Sequence, residues 1–332
     1  MKNPDLKCVT SDELETGMYV ILPLAWHEHP FIKSQFLIES EQEIQKIREL
    51  GIKGIRIDPA KGRLVQTPPA GGPPTSSESE QRVPERKVVT EDLISTIHNG
   101  SLPPEKKSQL VHQHSITMMK SLLENPTAQN IKEAKKGINE VVSLILSDDD
   151  TLHYLLNITS HDYYTYTHSV SVGILSIALA KALFKDANNH DMRAMGVGFF
   201  LHDVGKTGID PAIITKPDRL TPGEMQEMRR HPSLGFKLLH ETKQITEEAK
   251  IIVLQHHERC DGRGYPKGLR GKDIHIYGRI CSIADVYDAL TSKRPYRQML
   301  PQFEALKLML DEMIDHFQKE LFQKFVMLFK AP

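Results

Sequence analysis

The chain has 332 residues, enough for about two domains of ~150 residues each, and its 42 Lys and Arg against 43 Asp and Glu leave a formal net charge of −1. That balance excludes attachment to a nucleic acid polymer through bulk charge, and three scattered cysteines (Cys8, Cys260 and Cys281) exclude a disulfide framework. No run of ~18 apolar residues offers a membrane span, and the first residues lack the apolar stretch of a signal peptide, so the composition points to a cytoplasmic, soluble, two-domain protein.

Residues 1–64 read as a small mixed α/β module of about three strands and one helix. Residues 18–24 and 31–38 are apolar and rich in β-formers. Ser40 and Glu43 have capping-box spacing. Ile44, Ile47 and Leu50 follow at helical intervals, and Gly51 sits where a C-cap belongs. Residues 52–58 read as another strand. Residues 65–88 contain Pro68-Pro69, Gly71-Gly72, Pro73-Pro74 and a Ser/Glu stretch. Such a composition cannot build a packed core and reads as a flexible linker.

Beyond the linker nearly everything is helical. Residues 89–150 read as connecting helices and residues 151–332 as the last domain. Thr90, Glu91 and Asp92 open a helix that carries Leu93, Ile94 and Ile97. A second runs through residues 110–123 and stops before Pro126. Ile131, Ala134, Ile138, Val141, Val142 and Ile145 form an apolar stripe at helical period. Later apolar stretches are Val170, Ile174 and Ile177, then residues 195–201, 251–254 and 306–317. Residues 211–222 and 260–276 read as loops. The fold class expected is mainly α, a helical bundle preceded by the small α/β module.

Histidine is over-represented, with 16 against a single Trp, and no polyhistidine run explains it. His202-Asp203 follows the apolar residues 198–201, and on a helix Lys206 would share their face. A buried, unbound His–Asp pair is costly, although a capping Asp beside a core His is an equal alternative for this pair alone. His168 stands ahead of an expected amphipathic helix, and His231 follows Arg229-Arg230. His256-His257 ends an apolar segment, and Asp285 lies within Ile283-Ala284-Asp285-Val286. Imidazole and carboxylate together suit Fe, Mn or Zn. Five His and two Asp exceed what one tetrahedral zinc needs, so the surplus points to two ions sharing a carboxylate, with Asp203 the best bridge. Two such ions lower the pKa of a water between them and clamp the oxygens of a phosphodiester for in-line attack. Lys206 is placed to neutralise a phosphate oxygen or to protonate the leaving group.

Residues 259–297 hold nine Lys and Arg against four Asp. That excess suits an anionic substrate, the alternative being a solvated basic face. Arg294 and Arg297 are close enough to grip one phosphate. In the loop Asp261-Gly262-Arg263-Gly264-Tyr265-Pro266 the glycines allow close backbone approach, and Tyr265 offers a flat face for a base.

These residues resemble the HD-GYP family, a branch of the HD-domain metal phosphohydrolases, over roughly residues 150–320. His202-Asp203-Val204-Gly205-Lys206 is similar to the HD signature. Residues 256–266 are similar to the extended signature that names the family, and residues 284–297 to its closing motif. The resemblance implies an all-α HD-type bundle that hydrolyses cyclic di-GMP to linear pGpG, and in some members on to GMP. It implies metal binding, usually iron and sometimes manganese, by His168, His202, Asp203, His231, His256, His257 and Asp285. It gives Lys206 to the phosphate and Gly264, Tyr265, Pro266, Arg294 and Arg297 to the substrate. Residues 1–64 resemble a small module of unknown function that often precedes this domain. Some members carry a Glu four residues before the first metal histidine, where it helps to hold a third ion. Here that position is Tyr164, so two ions are expected rather than three. The alternatives are a cyclic di-GMP receptor with little turnover, and a phosphodiesterase for another cyclic dinucleotide such as cyclic GMP-AMP. Expected partners are cyclic di-GMP and a cyclic dinucleotide synthase or other signalling protein. A homodimer stays open.

Overall fold

A computed structural model describes residues 7–22, 35–38, 40–50, 52, 54–59, 61–62, 88, 90–158, 165–184, 189–216, 218–292 and 299–330. The chain divides into two compact units, residues 1–82 and 83–332. The residues of the expected linker before Val88 lie outside the described residues.

The first unit is a four-stranded antiparallel sheet with one helix. The elements are β1 (Lys7–Val9), β2 (Tyr19–Ile21), β3 (Gln35–Leu37), α1 (Glu41–Glu49) and β4 (Ile55–Ile57), and the strand order is β1-β4-β2-β3. Register pairs Cys8 with Arg56 and Val20 with both Phe36 and Ile57. Three strands were expected. The additional one, β1 (Lys7-Cys8-Val9), is as short as the others but sits outside any longer apolar, β-rich stretch of the sequence. The capping box of α1 is made as expected, with Glu43 N donating to Ser40 Oγ at 3.4 Å and Ser40 N donating to Glu43 Oε2 at 3.1 Å. Leu50 takes the C-cap position, and Gly51 lies outside the described residues. Ile44 and Ile47 share one face of α1 and pack with Val20, Ile38 and Ile55 in a small core of their own.

The second unit is helical. Its first helices are α2 (Glu91–His98), α3 (Pro104–Glu124), α4 (Ala128–Ser147) and α5 (Asp149–Leu156). Thr90 stands at the N-cap of α2 but gives its hydroxyl to Glu133 of α4 at 2.9 Å, tying the two helices instead of capping one. The expected stripe is the buried face of α4, where Ile131, Ile138 and Ile145 are sealed from solvent.

α6 (Thr165–Leu183) runs through the centre of this unit and touches α3, α4, α5, the next helix α7 (Met192–Phe200), and two helices from the end of the chain, α12 (Ile276–Thr291) and α14 (Lys319–Met327). The expectation of an amphipathic helix after His168 is corrected here. His168 lies inside α6, and from Thr167 to Ala180 every residue but Ser171 is buried. A helix covered on all sides has no polar face. For the same reason α6 is long and apolar enough to cross a membrane by length and composition, yet it is a core helix with 72% of its window buried. That qualifies the expectation that no segment reaches such a length.

After α7 the chain turns through His202 and Asp203 into a 3-10 turn, Val204–Gly208, so the segment from His202 to Lys206 is not the α-helix assumed from spacing. There follow α8 (Pro211–Ile214), α9 (Pro222–Met228), α10 (His231–Glu241) and α11 (Glu247–Gln255). The expected loop over residues 211–222 thus contains a short helix, opened by Asp210 accepting from Ala212 N at 2.8 Å and by Pro211 in the first turn. The unit closes with α12 (Ile276–Thr291), α13 (Gln302–Glu312) and α14 (Lys319–Met327). A 3-10 turn at Ile314–His316 breaks the apolar stretch expected over residues 306–317.

Candidate metal centre

Each expected ligand is carried to one place by a different helix end or helix interior. His168 comes from α6, and His202 and Asp203 from the turn after α7. His231 opens α10, His256 and His257 follow α11, and Asp285 lies within α12. All are buried except His257, which is partly so. Close approach of backbones makes this convergence possible. A Cβ on Gly205 would stand 1.9 Å from His231 O and 2.3 Å from Gly235 N, so only glycine lets the 3-10 turn lie against α10.

The donor atoms fall into two sets, each mutually within 4.8 Å: Asp203, His231, His256 and His257 in one, and His168, His202 and Asp285 in the other. Asp203 divides its carboxylate between them. Its Oδ1 is 3.2 Å from His231 Nε2 and 3.7 Å from His256 Nε2. Its Oδ2 is 3.5 Å from both His168 Nε2 and His202 Nε2. Asp285 spans in a similar way, with Oδ1 3.1 Å from His168 Nε2 and Oδ2 3.4 Å from His257 Nδ1.

Hydrogen bonds on the outer side of the rings fix what faces inward. The Nδ1 atoms of His202, His231 and His256 point at the carbonyl oxygens of Phe199, Met228 and Val253, at 2.8, 2.8 and 2.9 Å. A carbonyl only accepts, so each Nδ1 carries the proton and each Nε2 of a neutral ring presents a lone pair. Burial keeps two of the rings neutral, with the pKa of His202 lowered to about 4 and that of His231 to about 3. His257 is shifted down as well, first by burial and then by the neighbouring His256. Burial alone would raise the Asp203 carboxyl, but the Lys206 ammonium and the surrounding imidazoles outweigh it and hold it well below the ordinary carboxylate range. Asp285 is likewise lowered against burial, by its contacts with His168 and then His257.

The array therefore sets lone pairs against lone pairs and anions. His231 Nε2 and His256 Nε2 face each other at 3.1 Å, and His168 Nε2 and His202 Nε2 at 3.4 Å. Asp203 Oδ1 is buried with no hydrogen-bond partner among the described residues. Left to themselves these groups repel and pay for desolvation. A cation in each set makes them ligands, and imidazole with carboxylate is a donor set for a divalent transition metal.

Two residues outside the expected set support it. Asp288 Oδ2 lies 2.7 Å from His168 Nδ1 and accepts from Ser292 Oγ at 3.2 Å, so that a carboxylate orients this ring. Asp288 is three residues after Asp285 on α12 and equally a buried acid on an apolar helix, so the same signal marks it. Glu258, buried beside the histidine pair, accepts from Lys267 N at 2.7 Å and Leu269 N at 2.8 Å and so pins the following loop.

That loop brings Gly264 and Tyr265 against His257, while the Pro266 that follows is exposed. A Cβ on Gly264 would meet Arg259 N, Glu258 Cα and His257 O at 2.4–2.6 Å, and Tyr265 N donates to His257 O at 3.1 Å. The Tyr265 ring stacks on His257 with centroids 4.6 Å apart, and the Arg229 guanidinium lies over it at 5.4 Å. The flat face expected to receive a base is thus partly engaged. Lys206 lines the adjoining cleft but donates to Asp203 Oδ2 at 2.5 Å, which ties it to the carboxylate as well as to any phosphate. Of the basic residues over 259–297, Arg259 is paired with Asp261. Arg294, Arg297 and Tyr164 lie outside the described residues. The cleft has a volume of about 640 Å³ and reaches His231, His257 and Asp285.

Known proteins match this arrangement. Residues 150–321 match the HD domain family, and residues 6–149 match the domain of unknown function DUF3391. The chain is 32% identical to the protein named cyclic di-GMP phosphodiesterase PA4108 of Pseudomonas aeruginosa, over 97% of this chain and 76% of that one. It is 38% identical to a cyclic di-GMP phosphodiesterase of Thermotoga maritima over 46% of this chain and 42% of that one. It is 28% identical to 3'3'-cGAMP-specific phosphodiesterase 3 of Vibrio cholerae, over 62% of this chain and 47% of that one. The solved structure of Bd1817, an HDG"Y"P protein from Bdellovibrio bacteriovorus, superposes with a TM-score of 0.61 at 18% identity, covering 98% of this chain and all of that one, a likeness of fold. The DUF3391 match runs well past the small sheet unit, through α2, α3 and α4. On these matches the chain belongs to the HD-domain family, with a DUF3391 region ahead of the HD domain.

Proposed function

We propose that this protein is a metal-dependent phosphodiesterase that hydrolyses cyclic di-GMP to pGpG, with His168, His202, Asp203, His231, His256, His257 and Asp285 holding two divalent ions. The observation that carries the reading is the split carboxylate of Asp203, one oxygen toward each of two sets of converging imidazole nitrogens. Imidazole with carboxylate suits a divalent transition metal, and the family resemblance makes iron the ion assigned, with manganese accepted. When bound, the ions supply Lewis acidity, lowering the pKa of a water between them and polarising the phosphodiester. The chain's own residues do the rest. The backbone carbonyls behind His202, His231 and His256, and the carboxylate behind His168, fix the rings. Lys206 holds Asp203 in place, and on the cleft side its ammonium either neutralises a phosphate oxygen or gives a proton to the leaving group. Gly264, Tyr265 and Pro266 form the wall beside His257 against which the substrate lies, and Arg294 and Arg297 are assigned to substrate phosphate.

Cyclic GMP-AMP is the second substrate reading, favoured by relatives named for that specificity. A receptor without turnover has less support, since it has no need of a complete ligand set and Lys206. The test is elemental analysis of anaerobically purified protein followed by incubation with each cyclic dinucleotide. Two iron or manganese ions per chain and release of pGpG are expected. Fully loaded, reduced protein that yields no product from either dinucleotide overturns the reading.

A further inference from the structure

Helix α12 borders two hollows. Asp285, Val286 and Ala289 line the cleft beside the metal centre, whereas Tyr287, Asp288 and Thr291 line a separate pocket of about 100 Å³. Part of the wall of that second pocket comes from α3, which supplies His112. All of α3 lies within the DUF3391 match. A side chain from ahead of the HD domain therefore shares a pocket with the acid that orients the ligand His168.

The Asp288 carboxylate is engaged on one oxygen. Among the described residues its hydrogen bonds, with His168 Nδ1 and from Ser292 Oγ, both end on Oδ2. A carboxylate has about four lone-pair sites, so Oδ1 retains the capacity to accept. The pocket that reaches Asp288 is polar, with His112, Ser171 and Thr291 in its lining, and at ~30 Å³ per water it has room for a few molecules. Polar groups set around such a space are joined by water at little cost. Thr291 is already committed, its hydroxyl donating to Tyr287 O at 3.0 Å. His112 is suited to the part of donor. Burial lowers its pKa, so the ring is neutral near pH 7 and keeps one N–H to give. The Asp288 charge acts on the same ring in the opposite direction, which places the two groups within electrostatic reach of each other.

We infer that His112 is a positioning residue for the metal centre: through water in this pocket it steadies the Asp288 carboxylate, which in turn steadies His168. The DUF3391 region thereby contributes to how tightly the ions are held. The inference rests on the reading of His168 and its six companions as metal ligands.

The experiment measures manganese affinity of the full-length, metal-stripped protein by competition with a chelator, which needs no turnover. Wild type is compared with His112→Leu, His112→Phe, His112→Gln and Asp288→Asn, and with His112→Leu and His112→Phe each combined with Asp288→Asn. His112→Leu is expected to weaken affinity by roughly threefold to tenfold, less than a group directly behind a ligand because it acts one step further out. His112→Phe keeps a ring without an N–H and repeats the loss, so the test stands if one of the two fails to fold. His112→Gln keeps a donor and recovers most of the affinity. Once Asp288→Asn has altered the relay, the same His112 changes cost no more than about twofold further, the mark of residues that act through one another. Equal losses in both backgrounds overturn the inference in favour of plain packing, and unchanged affinity in His112→Leu and His112→Phe overturns it outright. Wild-type protein that takes up no manganese fails earlier, in the reading of the ligands, and is told apart by that control.

Discussion

Asp203 is the residue on which the two ligand sets meet, and its environment says what a change there does. Asp203→Asn keeps the shape but sets an amide NH2 against one pair of imidazole nitrogens. Metal content is expected to fall from two ions per chain to one or none, with activity lost, as elemental analysis will read. Retention of both ions would rule out the shared carboxylate. Asp288 acts one step further out, through His168. Asp288→Asn is expected to weaken metal affinity by about 10–100-fold, as partners behind ligating histidines do, with a smaller change in KM. Competition with a chelator measures the first and steady-state kinetics the second. The ligands were legible because histidines and acids inside apolar runs are too costly to bury without a partner. Asp288 carried the same signal, but in a stretch rich in Arg and Lys it reads as one more surface charge. Glu258 owes its place to loop geometry, which no spacing rule reports.

At the scale of elements, the site depends on how closely the turn after α7 lies against the start of α10. Gly205→Ala forces a methyl group into backbone atoms that cannot move aside. It is expected to destabilise the protein by at least ~1–3 kcal/mol, the usual cost of overpacking, and to lower metal occupancy with it. Gly223→Ala on α9 meets nothing within 4 Å and is the control, with little change expected in either. Thermal melts and metal analysis on both variants decide. The helices with one buried face, such as α1 and α4, could be read from a 3.6-residue period. α6 could not be read that way, since burial on every side erases the period. The four-residue α8 falls below the length at which any period shows.

For the whole molecule, the buried neutral imidazoles predict how stability follows pH once metal is stripped. In the unfolded chain His202 and His231 take up protons near an ordinary pKa of ~6.5. In the folded protein they do so only at about 4 and about 3. Between these values the unfolded state binds more protons, so stability rises with pH and is lost on acidification from ~6.5 toward 4. Asp203 and Asp285, both lowered, act with the same sign below the ordinary carboxylate pKa of ~4. The Tm of chelator-treated protein is expected to drop between pH 7.5 and 5, and a flat profile would sink this account. Added metal should raise Tm at pH 7.5 in proportion to the logarithm of its concentration.

The composition shift near residues 65–88 marked a division of the chain, but nothing in the sequence marked where the helical unit begins relative to its families. α3 and α4 lie within the DUF3391 match and pack on α6, the helix that bears His168. A recombinant fragment begun at residue 150, where the HD match starts, would strip those two walls away and leave the inner helix bare to water. It should precipitate, whereas one begun at residue 83 should stay monodisperse and take up metal. The seam between two named families here cuts through the timber that holds the hearth.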